Sequence, residues 1–310
     1  MTSRIVIVGS ANMDVVGLAE RLPRPGETVL GDDFVMTPGG KGANQAIAAA
    51  RAGSTCTFLG AIGSDAFGVT INARLTASGV DTTHLRTSYG ASGVAVIMVD
   101  RAGENAILVS PGANSTFVNL RDDERAVIAD ADVLVCQQEI PPETVTAAAR
   151  TAHAAGTRVV LNAAPARTLP PELLAAVDLL IVNESEAAAI TGKDTPPDRD
   201  APADRDTPAD LDALIALVPR VVLTLGGDGA WYADRDGRRE RIPAFRVEVA
   251  DTTAAGDAFT GALAVAWGEG RDLIDAVRWA SAAGAACVRT VGAYPSLPTR
   301  AQIDAVYATA

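Results

Sequence analysis

The chain is 310 residues long and 48% hydrophobic, with a mean hydropathy of +0.17. That is enough apolar material for one large α/β domain or two smaller ones. Its formal net charge of −12 and pI near 4.6 repel phosphate backbones and argue against general nucleic-acid binding, and no uncharged apolar run reaches the roughly 18 residues of a membrane span. If the ligand is an anionic nucleotide, local N–H groups, a metal ion or a few basic residues must overcome that overall charge.

In chain order the first element is "RIVIVG" (4–9), an apolar run too short for a signal peptide that reads as a buried first strand. Similar runs follow at "TCTFLGAIG" (55–63), "DVLVCQQ" (132–138), "TRVVLN" (157–162), "DLLIVN" (178–183) and "RVVLTLG" (220–226). Between them lie helix-like segments at 42–53, 141–156 and 207–218. Strands apolar throughout, joined by helices, predict a mostly parallel sheet covered on both faces. The C-terminal third is predicted mostly helical, around 254–268, 271–290 and 299–308.

Two stretches, 15–37 and 93–110, read as extended segments with turns and no helices. The second is a hairpin turning at "DRAGEN". Together they predict a small sheet beside the core that serves as a lid or a dimer surface, with a structural flap as the plainer alternative. Residues 195–212 read as three hexads, "TPPDRD", "APADRD" and "TPADLD", and predict a solvated surface loop whose last hexad caps the next helix. Cys56, Cys136 and Cys287 are odd in number and lack metal-ligand spacing, which points to reduced, buried thiols in a cytoplasmic protein. The "NST" sequon at Asn114 then carries little weight. His84 and His153 stand outside any cluster, so histidine acid–base chemistry is not expected. Trp231, Trp267 and Trp279 are expected to anchor the core.

The chemistry concentrates in short polar or glycine-rich clusters. In "DTTAAGDAF" (251–259) the near-absent side chains of Ala254, Ala255 and Gly256 let backbone N–H groups approach a ligand, and a helix starting there leaves those groups unpaired. Asp257 falls in the first helical turn, placed to take a proton from an alcohol attacking phosphorus. The competing reading makes Asp257 a favourable first-turn acid and Asp251 a cap, and this motif alone leaves the two about even. "TPGGKGANQ" (37–45) is a second glycine turn into a helix, with Lys41, Asn44 and Gln45 near its start; it lacks the Walker A spacing. "TLGGDGAW" (224–231) ends a strand in glycines without a dinucleotide fingerprint, and a tight strand-to-strand turn is its plain reading. "VNESEA" (182–187) and "SANMD" (10–14) place Asn183, Glu186, Asn12 and Asp14 at carboxyl ends of strands. In open α/β sheets that edge binds ligands.

"GGKGANQA" and "DTTAAGDAFTGAL" resemble the paired signatures of the PfkB-type, or ribokinase, family of carbohydrate kinases. "SANMD", "GANS" (112–115), "LNAAPAR" (161–167), "VNESEA", "TLGGDGAW" and "GAYPSLP" (292–298) extend the likeness in order along nearly the whole chain. The resemblance implies one carbohydrate-kinase domain over 1–310, with a three-layer core and a β lid from the two inserts.

It also implies a reaction: ATP phosphorylating D-ribose at the 5-hydroxyl. Kinases of 2-deoxyribose, another pentose, a ketohexose or a nucleoside are alternatives, and so is an inactive sugar-binding regulator. Asn12, Asp14, Gly40, Lys41, Asn44 and Glu139 match sugar contacts. Asp257 matches the general base, with an anion hole at Ala254, Ala255 and Gly256. The nucleotide side comprises Asn183, Thr224, Leu225, Gly226, Gly227, Asp228, Gly229, Gly256 and Ser281. Mg²⁺ would be held near Glu186 through water. Asp251, Thr253, Cys287, Thr290, Gly292 and Ser296 match ligands of an activating K⁺. Ser281 departs from the His or Asn common beside the adenine, and Met13 stands between two sugar ligands where it would shape the pocket. A homodimer through exposed lid edges is expected.

Overall fold

The computed structural model describes residues 2–192, 208 and 210–309. The N-terminal part runs β1 (Arg4–Val8), β2 (Asn12–Leu18), β3 (Asp33–Gly39), α1 (Lys41–Arg51), β4 (Thr55–Leu59), β5 (Ala61–Gly63) and α2 (Ala66–Ala77). Next come β6 (Val80–Asp81), β7 (Arg86–Ser88), β8 (Gly93–Val99), β9 (Asn105–Ser110), α3 (Asp122–Ala129), β10 (Val133–Cys136), α4 (Pro142–Ala155), β11 (Arg158–Asn162) and α5 (Pro171–Leu174). The remainder is β12 (Leu179–Asn183), α6 (Glu184–Thr191), α7 (Leu211–Leu217), β13 (Arg220–Thr224), β14 (Ala230–Asp234), β15 (Arg239–Ile242), α8 (Ala255–Gly268), α9 (Leu273–Cys287), α10 (Ala293–Ser296) and α11 (Arg300–Tyr307). The predicted Pro/Asp-rich loop at 195–212 lies outside the described residues except for 208 and 210–212, where α7 begins.

The large sheet has the order β15-β14-β13-β12-β11-β10-β1-β4-β6. It is parallel from β6 through β13, and β14 and β15 close it antiparallel. The apolar strands explain its two-sided burial. Ile5 and Ile7 of β1 join a core with α1, α8 and α9, while Val6 and Val8 join a second core with α4 on the other face. Alternate side chains point to opposite faces, and each fully buried aliphatic side chain contributes about 1.5–3 kcal/mol. All three tryptophans belong to these cores, as expected. Among the described residues no helix is long and apolar enough to cross a membrane.

A separate four-stranded sheet, β3-β2-β8-β9, is built from the two helix-free stretches. It begins slightly earlier than predicted, at Asn12. The 93–110 hairpin is antiparallel and closes with the Asp100 N–H on the Glu104 carbonyl at 3.0 Å. The predicted single strand over 55–63 is instead broken at Gly60: β4 stays in the large sheet and β5 pairs with β7. Gly60 lies so close to the neighbouring backbone that a Cβ would sit 2.6 Å from the Gly9 carbonyl oxygen.

Helix α8 is the central buried element, its side chains covered from Asp257 to Trp267. A helix apolar on all sides needs packing all round, and α1 supplies one wall. The two helices touch backbone to backbone at Gly261, where a Cβ would lie 2.7 Å from Ala48 Cβ and 2.8 Å from the Gln45 carbonyl oxygen. Gly261 is one turn beyond Asp257, so this contact sets how near α1 comes to that carboxylate. Gly261→Ala is therefore expected to cost about 1–3 kcal/mol by overpacking. A chemical denaturation midpoint equal to that of the unsubstituted protein would show that the helices have room to spare.

Candidate active site

Because β1, β10, β11, β12 and β13 are parallel, their carboxyl ends share one rim. The start of α8 faces that rim. Its N-cap is Ala254, in the left-handed region at φ 63°, and no side chain caps the helix. Only two non-glycine residues among those described have positive φ, Asn119 being the other, and holding alanine in this conformation is mildly strained. The bend leaves the first N–H groups of α8 without a capping side chain, only the Ala255 N–H reaching back to the Thr252 carbonyl at 3.3 Å, and such an arrangement attracts an anion. Gly256 is exposed, and nothing lies within 4 Å of where its Cβ would be.

Asp257 is buried, and its carboxylate is held from α1. Asn44 Nδ2 donates to Oδ2 at 3.0 Å and Gln45 Nε2 to Oδ1 at 2.9 Å. Burial pushes the Asp257 carboxyl above its ordinary value, against the opposing effects of Lys41 and the two amides. Lys41 is half-buried at the first position of α1. Burial alone would lower its ammonium, but the field of Asp257, Glu139, Glu186 and Asp14 lifts it above normal. The predicted residues are thus brought into one electrostatic neighbourhood, four carboxylates around one lysine.

Asn12 and Asp14 lie on β2 with the same facing, and both lean on glycines. A Cβ at Gly93 would sit 2.2 Å from Asn12 Oδ1, and one at Gly39 would sit 2.0 Å from Asp14 Oδ2. Met13 points oppositely and is buried in the core, since successive strand side chains alternate. Gly40, at φ 89°, makes the turn into α1, where a Cβ would meet the Asn12 amide nitrogen at 2.8 Å. Glu139 Oε2 accepts from Ser10 Oγ at 2.6 Å and from the Lys41 N–H at 3.2 Å, anchoring the start of α1.

The other rim residues have local duties. Asn183 and Glu186 form the capping box of α6, at 2.8 and 2.9 Å. Burial still lifts the Glu186 carboxyl, partly offset by the Asn183 N–H and Lys41. Thr224 Oγ1 donates to the Val182 carbonyl at 3.3 Å. Leu225 to Gly229 is indeed a tight strand-to-strand turn, with Leu225 N–H on the Gly229 carbonyl at 2.8 Å and Gly226, Gly227 and Asp228 exposed. Ser281 lies on α9 and bonds its own helix at the Val277 carbonyl, 2.9 Å.

Asp251 is not a helix cap. Its Oδ1 accepts from the Thr253 N–H at 2.9 Å and the Thr253 hydroxyl at 2.7 Å, and its Oδ2 from the Gly292 N–H at 2.8 Å. Burial raises this carboxyl, but those donors outweigh it and leave it below the ordinary value. Cys287 Sγ lies 3.6 Å from the Thr253 carbonyl and 3.1 Å from Ser296 Oγ, and the Cys287 carbonyl accepts from the Thr290 N–H at 3.2 Å. All six residues expected around a monovalent cation therefore belong to one connected loop cluster beside the start of α8.

Sequence reasoning misses three amides, Asn114, Asn162 and Gln137. Asn114 Nδ2 donates to Asn12 Oδ1 at 2.7 Å, and Asn114 Oδ1 accepts from the Ala11 N–H at 3.0 Å. Gln45 also reaches Asn162 Oδ1 at 3.0 Å and accepts from Gln137 Nε2 at 2.6 Å. Gln137, just past the end of buried strand β10, and Asn162, closing β11, were the available signal.

The chain belongs to the pfkB family of carbohydrate kinases, whose profile matches residues 2–300. It is 38% identical to a ribokinase of Haemophilus influenzae over 303 residues, covering 97% of each chain. It is 36% identical to a ribokinase of Bacillus subtilis, covering 97% of this chain and 98% of that one. A structure of Arabidopsis thaliana ribokinase complexed with ribose and ATP superposes with a TM-score of 0.89 at 32% identity, covering 99% of both chains.

Asp14 shows what the crowded carboxylates cost. Burial, then Glu139 and Asp257, push its carboxyl up to about 7 from 3.8, with Lys41 opposing. The folded state thus holds this proton more tightly than the unfolded chain. Stability linked to it is full below about pH 4 and is lost as pH rises through about 7. At 1.36 kcal/mol per tenfold change in proton affinity the loss is at most roughly 4 kcal/mol. Asp14→Asn is expected to raise the melting temperature by several degrees at pH 8 and by less at pH 5. Equal melting curves at both pH values would contradict this.

Proposed function

We propose that this protein transfers the γ-phosphoryl group of ATP to the 5-hydroxyl of D-ribose, giving D-ribose 5-phosphate and ADP. The family membership and the relatives named ribokinase support the reaction. The observation that carries the residue assignment is Asp257, a buried carboxylate at the start of α8, held on both oxygens by amide donors and facing the uncapped bend at Ala254.

In this reading Asp257 accepts the 5-hydroxyl proton as that oxygen attacks phosphorus. The raised affinity of its carboxyl for a proton suits a base that must take one and later release it. N–H groups of Ala254, Ala255 and Gly256 face the charge gathering on the transferred group. Asn12, Asp14, Gly40, Lys41, Asn44 and Glu139 hold the sugar. Two details fit hydroxyl binding. Asn44 Oδ1 is buried without a hydrogen-bond partner while its Nδ2 serves Asp257, which leaves an acceptor for a sugar hydroxyl. Asn12 Oδ1 is taken by Asn114, so its Nδ2 is directed to donate. Asn183, Thr224 to Gly229, Gly256 and Ser281 line the nucleotide side.

Among the described residues no group of three or more His, Cys, Asp or Glu is disposed to hold a metal ion. This fits a Mg²⁺ carried largely by phosphates and water, with Glu186 nearby; when bound it would neutralise phosphate charge. The carboxylate and carbonyl oxygens around Asp251, Thr253, Cys287, Thr290, Gly292 and Ser296 suit K⁺, which would add positive field beside the bend.

The small sheet serves as the lid over the sugar. Its surface exposes Phe34, Val35, Met36, Ile107, Leu108 and Val109, and β3 and β9 are its edges. We place a homodimer contact there. The buried, unpaired thiols of Cys56, Cys136 and Cys287 support a reducing, cytoplasmic setting.

An ADP-release assay across ribose, 2-deoxyribose, other pentoses, ketohexoses and nucleosides is expected to rank ribose first. A different sugar at the top would reassign the substrate. Asp257→Asn is expected to lower kcat by at least about 10²–10⁴-fold with sugar binding retained; wild-type turnover would remove the base role. Replacing K⁺ by Na⁺ is expected to slow the enzyme, and Asp251→Ala to blunt that difference. Identical rates in both salts would take the cation role from Asp251.

A further inference from the structure

We propose that Gln45 and Gln137 form a two-amide relay that holds Asp257 in its working orientation, with Gln137 a positioning residue that reaches the carboxylate only through Gln45. The proposal rests on the reading of Asp257 as the base.

An ionised carboxylate only accepts hydrogen bonds, so the Gln45 side chain must turn its NH₂ toward Asp257. That contact is 2.9 Å, and the same nitrogen also donates to Asn162 Oδ1 at 3.0 Å. The carbonyl end of Gln45 then faces away and needs a donor, which Gln137 Nε2 provides at 2.6 Å. An amide has one donor end and one acceptor end. The direction chosen at Gln137 therefore fixes the direction at Gln45 and, through it, the donor on Asp257 Oδ1. Asn44 closes the arrangement on Oδ2.

Gln137 does not satisfy itself in this position. Both glutamines are fully buried, yet Gln137 Oε1 has no hydrogen-bond partner. It sits against Gly9, where a Cβ would lie 1.9 Å away. A leucine just past the end of β10 would avoid an unpaired buried oxygen. The amide and the glycine that makes room for it are explained by what the other end of Gln137 does. Such chained bonds in a dry interior reinforce one another.

The relay also bears on protonation. Asp257 is faced by Lys41 of α1, Glu139 beyond β10, Glu186 of α6, Asp14 of β2 and Cys287 of α9. Among these charges, the N–H donors favour the ionised form. Taking away the Gln45 donor raises the carboxyl further, so the acid limb of the kcat profile moves to higher pH.

The test compares Gln45→Leu, Gln137→Leu and the double variant with Asp257→Asn, measuring kcat and ribose KM from about pH 5.5 to 9, with folding followed by thermal melts. Gln45→Leu is expected to lower kcat about 10- to 100-fold, as a small misplacement of a reacting group does. Gln137→Leu should lower it about tenfold or less, with KM for ribose held within about threefold, and both should shift the acid limb upward. The double variant should be no worse than Gln45→Leu alone, because a relay broken at one link gains nothing from a second break. Gln137→Leu with unchanged kcat and acid limb would overturn the proposal, as would losses that multiply in the double variant. A purely structural role would lower the melting temperature and leave the acid limb in place. If Gln137→Leu fails to fold, Gln45→Leu still carries the limb readout, and an unmoved limb there also counts against the relay. An active Asp257→Asn would remove the base itself. An inactive Asp257→Asn beside an unaffected Gln137→Leu would remove only the relay.

Discussion

A carboxylate buried at the first turn of a central helix needs donors, and the approach of α1 to α8 supplies them. Moving an ionised acid out of water is costly unless hydrogen bonds replace its hydration. Asp257 receives one N–H on each oxygen from consecutive residues of α1. The helices come that close because residue 261 has no side chain. Sheet strands fix where each helix begins, and the helix contact fixes what the acid touches. The site is therefore a property of the core packing more than of the loops around it.

That packing concentrates negative charge. Asp14, Glu139, Glu186 and Asp257 share one neighbourhood with Lys41, in a chain that is already strongly acidic. A triphosphate cannot be drawn there by net charge. In the proposed reading it is met by oriented N–H groups at the start of α8 and by cations that arrive with it or sit beside the bend. Burial first, and then this crowding, raises the carboxyls of Asp14 and Asp257. Gathering these buried acids runs against folding stability, a cost that fits a site whose ligand supplies the missing partners.

Much of this was legible in the sequence. Apolar runs such as "RIVIVG" and "DLLIVN" announced a sheet buried on both faces, because a strand with one wet face alternates. The helix-free inserts announced the small sheet, and "DTTAAGDAF" and "GGKGANQ" announced two glycine-rich helix starts. Less was legible where three-dimensional contact decides. Gly60 splits one apolar run between two sheets, through an approach to Gly9 that no local pattern encodes. Helix α2 mixes Gly68, Val69, Thr70 and Ile71, residues of weak helix propensity, and is held by its Asp65 cap and its packing. Met13 turns into the core because neighbours in sequence lie on opposite faces of a strand. Gln137 and Asn114 looked like ordinary polar residues, since their meaning lies in partners 92 and 102 positions away.

The placement of Asn12 and Asp14 connects the small sheet to the rim of the large one. Both stand at the beginning of β2, whose far end, Leu18, is exposed beside the apolar surface of the same sheet. Strand β2 is paired on both sides, to β3 and β8, over its whole length. It is therefore a stiff lever with polar residues at one end and an apolar surface at the other. Asn114 clamps the polar end to the core through Asn12 and the Ala11 backbone. The ladder between the two ends of β2 has no break, so the rim residues and the exposed face belong to one continuous piece of sheet.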